Sequence, residues 1–311
     1  MKLGVFTVVF GQLPLTEALD RVVALGLDAV EIGTGGYPGG SHFADGLHGE
    51  VEARGLEISA LSCHGNPLHP DEAFARKSHQ TFVRTIESAS ELGVGTVVCF
   101  SGCPGDGPAA SQPNWVTCAW PPEYLEVLEW QWTERAIPYW TEAARLAREA
   151  GVRVALEPHP GFLVYNPETA LRLREAAGPE IGVNLDPSHF VWQGIDPLLA
   201  VRELGNAGAI FHVHAKDVYV DPHNTARNGV LDTKAYDRFG DRSWSFRSVG
   251  YGQGEKFWRD FVSALRVVGY DGVLSIEHED GLASIEEGLS RAAEVLRAVV
   301  LREAPPEMWW A

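Results

Sequence analysis

The chain has 311 residues and carries 25 Lys and Arg against 42 Asp and Glu, a formal net charge of −17. With 45% hydrophobic residues it holds enough apolar material for one large core, which excludes intrinsic disorder. No run approaches the roughly 20 apolar residues that span a bilayer, and no Lys/Arg-rich run offers the basic stripe that tracks phosphates. Membrane and nucleic acid are therefore not expected partners.

Short β-type runs alternate with amphipathic helical stretches. The strands are read at 3–9, 29–32, 57–62, 96–101, 153–157, 182–186, 210–215 and 272–277, eight in all. Helices are read after them at 16–25, 43–54, 71–92, 122–150, 167–176, 196–204, 256–268 and 284–301. Several helix–strand joints (ALGLDAVEI, ELGVGTVVCF, REAGVRVALEP, VVGYDGVLSIEH) place Gly at the helix end and an apolar run after it. Glycine suits the left-handed helix terminus, and the apolar run suits a strand covered on both faces. This pattern predicts an α/β protein, a single-domain (β/α)8 TIM barrel over residues 1–303 with a tail at 304–311. A doubly wound open sheet is the alternative, but no G-x-G-x-x-G turn follows the first strand.

Two segments exceed ordinary loop length, 102–121 after strand four and 218–254 after strand seven. Both follow strand C-terminal ends, the face on which barrel enzymes keep their sites. They read as lids over a small ligand, with Trp115, Trp120 and Trp244 as sugar-stacking platforms or loop contacts. Cys63, Cys99, Cys103 and Cys118 lack a second Cys/His pair that would complete a zinc set, so they read as thiols of a reducing compartment. The first residues lack a signal-peptide pattern, and the expected location is the cytoplasm. The terminal Trp309 and Trp310 read as a contact of a homo-oligomer.

The later strands turn from apolar to ionisable at their last positions: Glu157 and His159 in VALEPHP, Asp186 and His189 in GVNLDPSHF, His212, His214, Lys216 and Asp217 in FHVHAKD, and Glu277 to Asp280 in LSIEHED. Alternate strand residues share a face, so His212, His214 and Lys216 point one way. Closing the barrel gathers Glu157, Asp186, His214 and Glu277 around one opening. Three carboxylates and one imidazole suit Mn²⁺ or Mg²⁺, with Co²⁺ and Zn²⁺ as substitutes. Glu31 and His42 lie toward the early mouth, as pocket or plain structure.

On the ordered set ALSCHGNPLHP, LEPHP, NLDPSHF, HVHAKD, RSVGYGQG and SIEHED, the chain resembles the xylose isomerase-like TIM barrel superfamily. Within it the chain resembles the sugar phosphate isomerase/epimerase branch, with similarity to ketose 3-epimerases and inosose dehydratases. The resemblance implies one divalent metal, most often Mn²⁺, on Glu157, Asp186, His214 and Glu277, with His212 supporting. It implies Glu157 and Glu277 as the catalytic carboxylates, and His64, His189, Lys216 and Arg247 as substrate-binding residues. Two departures stand out: Leu163 occupies a position where ketose 3-epimerases carry a further glutamate, and the strand-seven loop is longer.

The implied function is a metal-dependent isomerase or epimerase acting on a small-molecule keto or aldo sugar. The proton beside the carbonyl is abstracted and the enediolate is stabilised by the metal. The alternative is a lyase or dehydratase on a 3-keto sugar, keto-glycoside or inosose, with His189 or Lys216 as acid. More distant readings are a DNA-repair nuclease of the endonuclease IV type, which the acidic balance disfavours, and a non-catalytic sugar-binding barrel.

Overall fold

Along most barrel strands, Val, Leu and Ile alternate with small or ionisable residues, and that alternation decides which side faces what. Leu3, Val5, Val30, Ile32, Leu61, Val97, Val154, Leu156, Val213, Leu274 and Ile276 belong to one buried cluster shared with the helices. Ala60, Val98 and Ala155 form a separate small one, with Phe211 packed against it. The computed structural model describes residues 1–36, 41–304, 306–308 and 310; Trp309 lies outside them.

The barrel strands are β1 (Lys2–Phe6), β2 (Ala29–Gly36), β3 (Glu57–His64), β4 (Thr96–Cys99), β5 (Arg153–Leu156), β6 (Ile181–Leu185) and β7 (Ile210–Ala215). Next in the chain come β8 (Asp217–Val220) and β9 (Trp244–Arg247), a separate antiparallel pair, and then β10 (Val273–Ile276), the eighth barrel strand. The parallel order β1-β10-β7-β6-β5-β4-β3-β2 closes on itself, β1 pairing with β10 on one side and β2 on the other. The helices are α1 (Leu15–Ala24), α2 (Leu47–Glu52), α3 (Glu72–Leu92), α4 (Glu123–Trp130), α5 (Ile137–Ala150), α6 (Pro167–Ala177), α7 (Pro187–Gln193), α8 (Pro197–Asn206), α9 (Pro222–Asn228), α10 (Gly254–Val267) and α11 (Ile285–Val299). Among the described residues no helix is long and apolar enough to cross a membrane.

The expected (β/α)8 architecture is present, and the glycine joints act as read: Gly93 and Gly151 cap α3 and α5 at φ 68°. Local differences have local causes. The helix expected at 43–54 shrinks to α2, which starts only after Gly46 at φ 79°. The helix expected at 122–150 is split by a π-helical turn at Gln131–Ala136. Pro138 lies in the first turn of α5, where its ring opposes the carbonyl four residues back, and the wider turn relieves that clash. The long segment after β7 is more than a lid: it folds into β8, α9 and β9.

Asp217 holds that insert to the barrel. Its carboxylate is buried and accepts bonds from the N–H groups of Val218 (2.8 Å), Gly250 (2.8 Å), Gly252 (3.2 Å) and Gln253 (3.0 Å). It also accepts one from Trp258 Nε1 of α10 at 3.1 Å. Asp217→Ala would leave these donors without an acceptor in the interior, at a cost of about 3 kcal/mol or more. Urea denaturation should show a correspondingly lower midpoint, and an unchanged midpoint would refute the anchoring role.

Candidate functional site

Glu157 and Glu277 sit one residue past β5 and β10. Their backbone N–H groups extend the sheet ladders, donating to Cys99 O at 2.9 Å and Ala215 O at 3.3 Å, which fixes both side chains over the mouth. Asp186 is the N-cap of α7: Oδ1 accepts from Ser188 N at 2.8 Å, and Pro187 opens the helix. One helical turn then returns His189 to the same side, with Nε2 3.1 Å from Glu157 Oε1 and 3.3 Å from Asp186 Oδ2. The D-P-S-H spacing is thus a capping geometry that pairs its two ends. His214 completes the group from β7, Nδ1 lying 3.1 Å from Glu277 Oε2 and 3.3 Å from Glu157 Oε2. One ligand atom from each of Glu157, Asp186, His214 and Glu277 lies within 4.8 Å of all the others.

The residues fit a divalent cation. Asp186 Oδ2 is buried and accepts no well-aligned hydrogen bond, although Lys216 Nζ is 3.1 Å away. The donor set, three carboxylates and one imidazole, is that of an oxygen-preferring metal. The other ring nitrogen of His214, Nε2, bonds Glu31 at 2.9 Å, an outer partner of the kind that fixes the ring of a metal-bound histidine. Glu31 is fully engaged: it also accepts from His212 Nε2 at 2.9 Å and from the hydroxyls of Ser62 and Ser275.

Burial would raise every one of these carboxyl groups, and the neighbours decide the outcome. Against burial, the charges of His214 and His212 hold Glu31 well below the usual carboxylate range. Burial likewise opposes Glu277, but Lys216 and His214 draw it down to about 2. For Asp186 burial prevails, and with Glu157 and Glu277 adding repulsion it is pushed up to about 7, against the pull of Lys216 and His214. Lys216 is 2% exposed yet remains a cation: burial works against it, but Asp186, Glu277 and Glu279 raise it. Its Nζ is 2.7 Å from Glu277 and 3.1 Å from Glu279. His189 is held neutral by burial, with His159 and Lys216 reinforcing.

Of the residues expected to bind substrate, His64, His189 and Lys216 surround the cluster. His64 Nε2 is 3.3 Å from Glu157 and its ring is 4.6 Å from that of Phe100. Arg247 lies apart from the cluster. In β9, Trp244 and Phe246 line the cleft, so Arg247 falls on the opposite parity. Its Nε bonds Asp280 at 3.2 Å, and it borders a separate hollow with Tyr251 and Arg291. Glu31, read from the chain only as a residue near the mouth, proves central. Its signal was parity: it shares the inward face of β2 as His212 and His214 share that of β7. His42 bonds Leu13 O, and Trp120 is 73% exposed, outside the cleft. Leu163 is buried in the core.

Two hollows adjoin at the mouth. One of about 310 Å³ is bounded by His64, Phe100, Glu157, Lys216, Glu277 and Glu279. The other, about 420 Å³, is walled by aromatic residues of segment 102–121, α7 and the β8–β9 insert.

Replacing the negative partner of His214, Glu31→Gln, should weaken Mn²⁺ affinity about 10–100-fold, measured by isothermal titration. Wild-type affinity in the variant would refute the orienting role. The pH dependence follows from the same groups. A ligand proton must leave before a metal binds, and both His214, raised well above its usual value by Glu31 and Glu277 in opposition to burial, and Asp186, near 7, are protonated in mildly acidic solution. Log affinity should therefore rise with pH throughout the neutral range, more steeply below about pH 7 than above it. A flat profile in Mn²⁺ titrations at graded pH would contradict this.

The comparisons agree with this architecture. The model of the xylose isomerase-like TIM barrel family matches residues 19–299. The chain is 41% identical to the uncharacterized protein YfiH of Bacillus subtilis, covering 96% of this chain and 99% of that one. Among solved structures it is similar to the apo form of 3-keto-D-glucoside 4-epimerase, YcjR, from E. coli, with TM-score 0.67, 15% identity and coverage of 96% and 99%. It is also similar to the probable 3-DHS dehydratase AsbF from Bacillus anthracis, with TM-score 0.64, 18% identity and coverage of 96% and 99%. At such identities these structures speak for the fold alone. By its family match, its closed eight-stranded barrel and its full-length relative, the chain belongs to the xylose isomerase-like TIM barrel family.

Proposed function

We propose that the protein is a divalent-metal-dependent sugar isomerase or epimerase that moves a proton on the carbon beside a sugar carbonyl. The observation that carries this reading is the arc Glu157, Asp186, His214 and Glu277, contributed by strands β5, β6, β7 and β10, which are neighbours in the barrel. These four side chains would hold the ion, with Mn²⁺ best suited to the donor set and Mg²⁺, Co²⁺ and Zn²⁺ as substitutes. A divalent cation there supplies Lewis-acid stabilisation of negative charge on a carbonyl oxygen.

The chain's own groups handle the proton. Glu157 and Glu277 terminate the two ends of the arc, so they approach a ligand from different sides. Both are kept ionised: in each, opposing charge or bonding overcomes burial, from Lys216 and His214 at Glu277 and from His189, His214 and His64 at Glu157. One takes the proton and the other returns it, the requirement for inverting a single carbon. His189 donates to Glu157 Oε1 and Asn184 Nδ2 approaches Oε2 at 3.2 Å, fixing that carboxylate's orientation. The YcjR and AsbF likenesses support a barrel compatible with epimerisation and with dehydration.

A second reading, elimination of water or a glycosyl oxygen, is favoured by Lys216. Its buried ammonium lies 2.7 Å from Glu277, a proton donor directly beside the base.

Incubation of the Mn²⁺-loaded protein with a panel of ketoses in D₂O separates these readings. Deuterium at the carbon beside the carbonyl together with an epimerised product supports the first; loss of water or of an aglycone supports the second. Glu157→Gln and Glu277→Gln should each lower the exchange rate by about 10²–10⁴. No exchange with any sugar would overturn both readings.

A further inference from the structure

The aromatic hollow holds none of the four ligand residues, yet it adjoins them directly. His159 borders both hollows. His189 lines the aromatic one while its Nε2 contacts Glu157, and Phe246 lines it while its ring lies 4.7 Å from Lys216 Nζ. A monosaccharide held at the carboxylates would leave this space empty of ligand. We propose that the substrate is larger, its reacting sugar bearing an uncharged second sugar ring that lies in the aromatic hollow among Trp115, Trp192, Tyr236, Trp244 and Phe246. This rests on the sugar reading above and names its substrate class.

Three observations select that occupant. The first is the lining: Trp115, Trp192, Tyr236, Trp244 and Phe246 make one wall of the hollow, held in place by stacking of Trp192 on Trp244 at 4.4 Å and 10° and of Tyr236 on Phe246 at 6.0 Å and 16°. Such an aromatic lining suits the apolar C–H face of a pyranose. The second is unmet polarity. Buried Nε1 of Trp115, Nε1 of Trp192 and Nδ1 of His189 have no hydrogen-bond partner, and all three residues line the hollow. With its Nε2–H turned to Glu157, neutral His189 presents Nδ1 as an acceptor. Unpaired donors and an acceptor thus lie within the residues of the wall, a polarity that hydroxyl groups match and a bare hydrocarbon does not. The third is charge. Among the described lining residues there is no Lys or Arg, and Asp232 is the ionisable carboxyl group. Arg242, against the rings of Tyr236 and Trp244, commits its guanidinium to Trp244 O and Lys234 O, and Lys216 is paired with carboxylates, so a phosphate finds no unpaired cation in this lining.

The test uses the full-length Mn²⁺-loaded protein and compares Kd values, by isothermal titration, for fructose with those for its glucosyl or galactosyl derivatives maltulose, isomaltulose and lactulose. Fructose 6-phosphate and p-nitrophenyl glucoside serve as controls. At least one disaccharide should bind about tenfold or more tightly than fructose. That ratio should fall toward one in Tyr236→Ala, whose side chain is 57% exposed and leaves no core cavity, and in Trp115→Ala. Equal or tighter binding of fructose, of its phosphate or of the aryl glycoside would overturn the proposal, as would a ratio that survives both substitutions. Binding is read without turnover, so the two readings can fail separately. A disaccharide preference without deuterium exchange on any ketose keeps the second-ring site and removes the isomerase; exchange on fructose without a preference does the reverse.

Discussion

Carboxylates crowded into a buried mouth repel one another, and the rest of the site is organised around that repulsion. Glu157, Asp186 and Glu277 are each within 3.3 Å of a cationic or imidazole nitrogen. Lys216 reaches two of them from the end of β7, and His214 also reaches two. Deeper in the barrel Glu31 repeats the arrangement with the sign exchanged: one carboxylate accepts from two imidazoles and two hydroxyls. The result is a column of alternating charge running from the barrel interior to the mouth. Each group in it is costly to bury alone and tolerable in company. A divalent cation would enter a space already shaped for positive charge.

The barrel and this cluster were legible in the chain for one reason. Strand ends that switch abruptly from apolar to ionisable carry information that survives without knowledge of contacts, because position along a barrel strand is also height in the barrel. Glu157, Asp186, His214 and Glu277 were found that way. The same logic failed where the backbone left the barrel. Residues 218–254 lack a sustained apolar run, so β8 and β9 were read as loop. Without the hairpin, the parity that turns Arg247 away from Phe246 was invisible. Glu31 was visible as a residue but its role was not, since its partners come from β3, β7 and β10 and only closure brings them together. Helix α7 was missed because its seven residues, PSHFVWQ, are too short to display a period.

The tetrapeptide His214–Asp217 joins these two parts of the molecule. His214 and Lys216 point into the mouth, while Asp217 turns outward to gather the backbone of 250–253 and the indole of Trp258. The insert that walls the aromatic hollow is therefore fastened within three residues of His214, at its base rather than at its tip.

This mode of attachment divides the molecule into a part that must keep its shape and a part free to change. Leu231 and Tyr236, between α9 and β9 of the insert, are 62% and 57% exposed, and among the described residues no hydrogen bond or ion pair ties either to the charge column. Substitutions there can redraw the outer wall of the hollow while Asp217 keeps the strand end in place. On the proposed function, selectivity for the distal portion of a ligand and the chemistry at its reacting carbon are separable in this architecture, so the outer wall can change without rebuilding the charged centre.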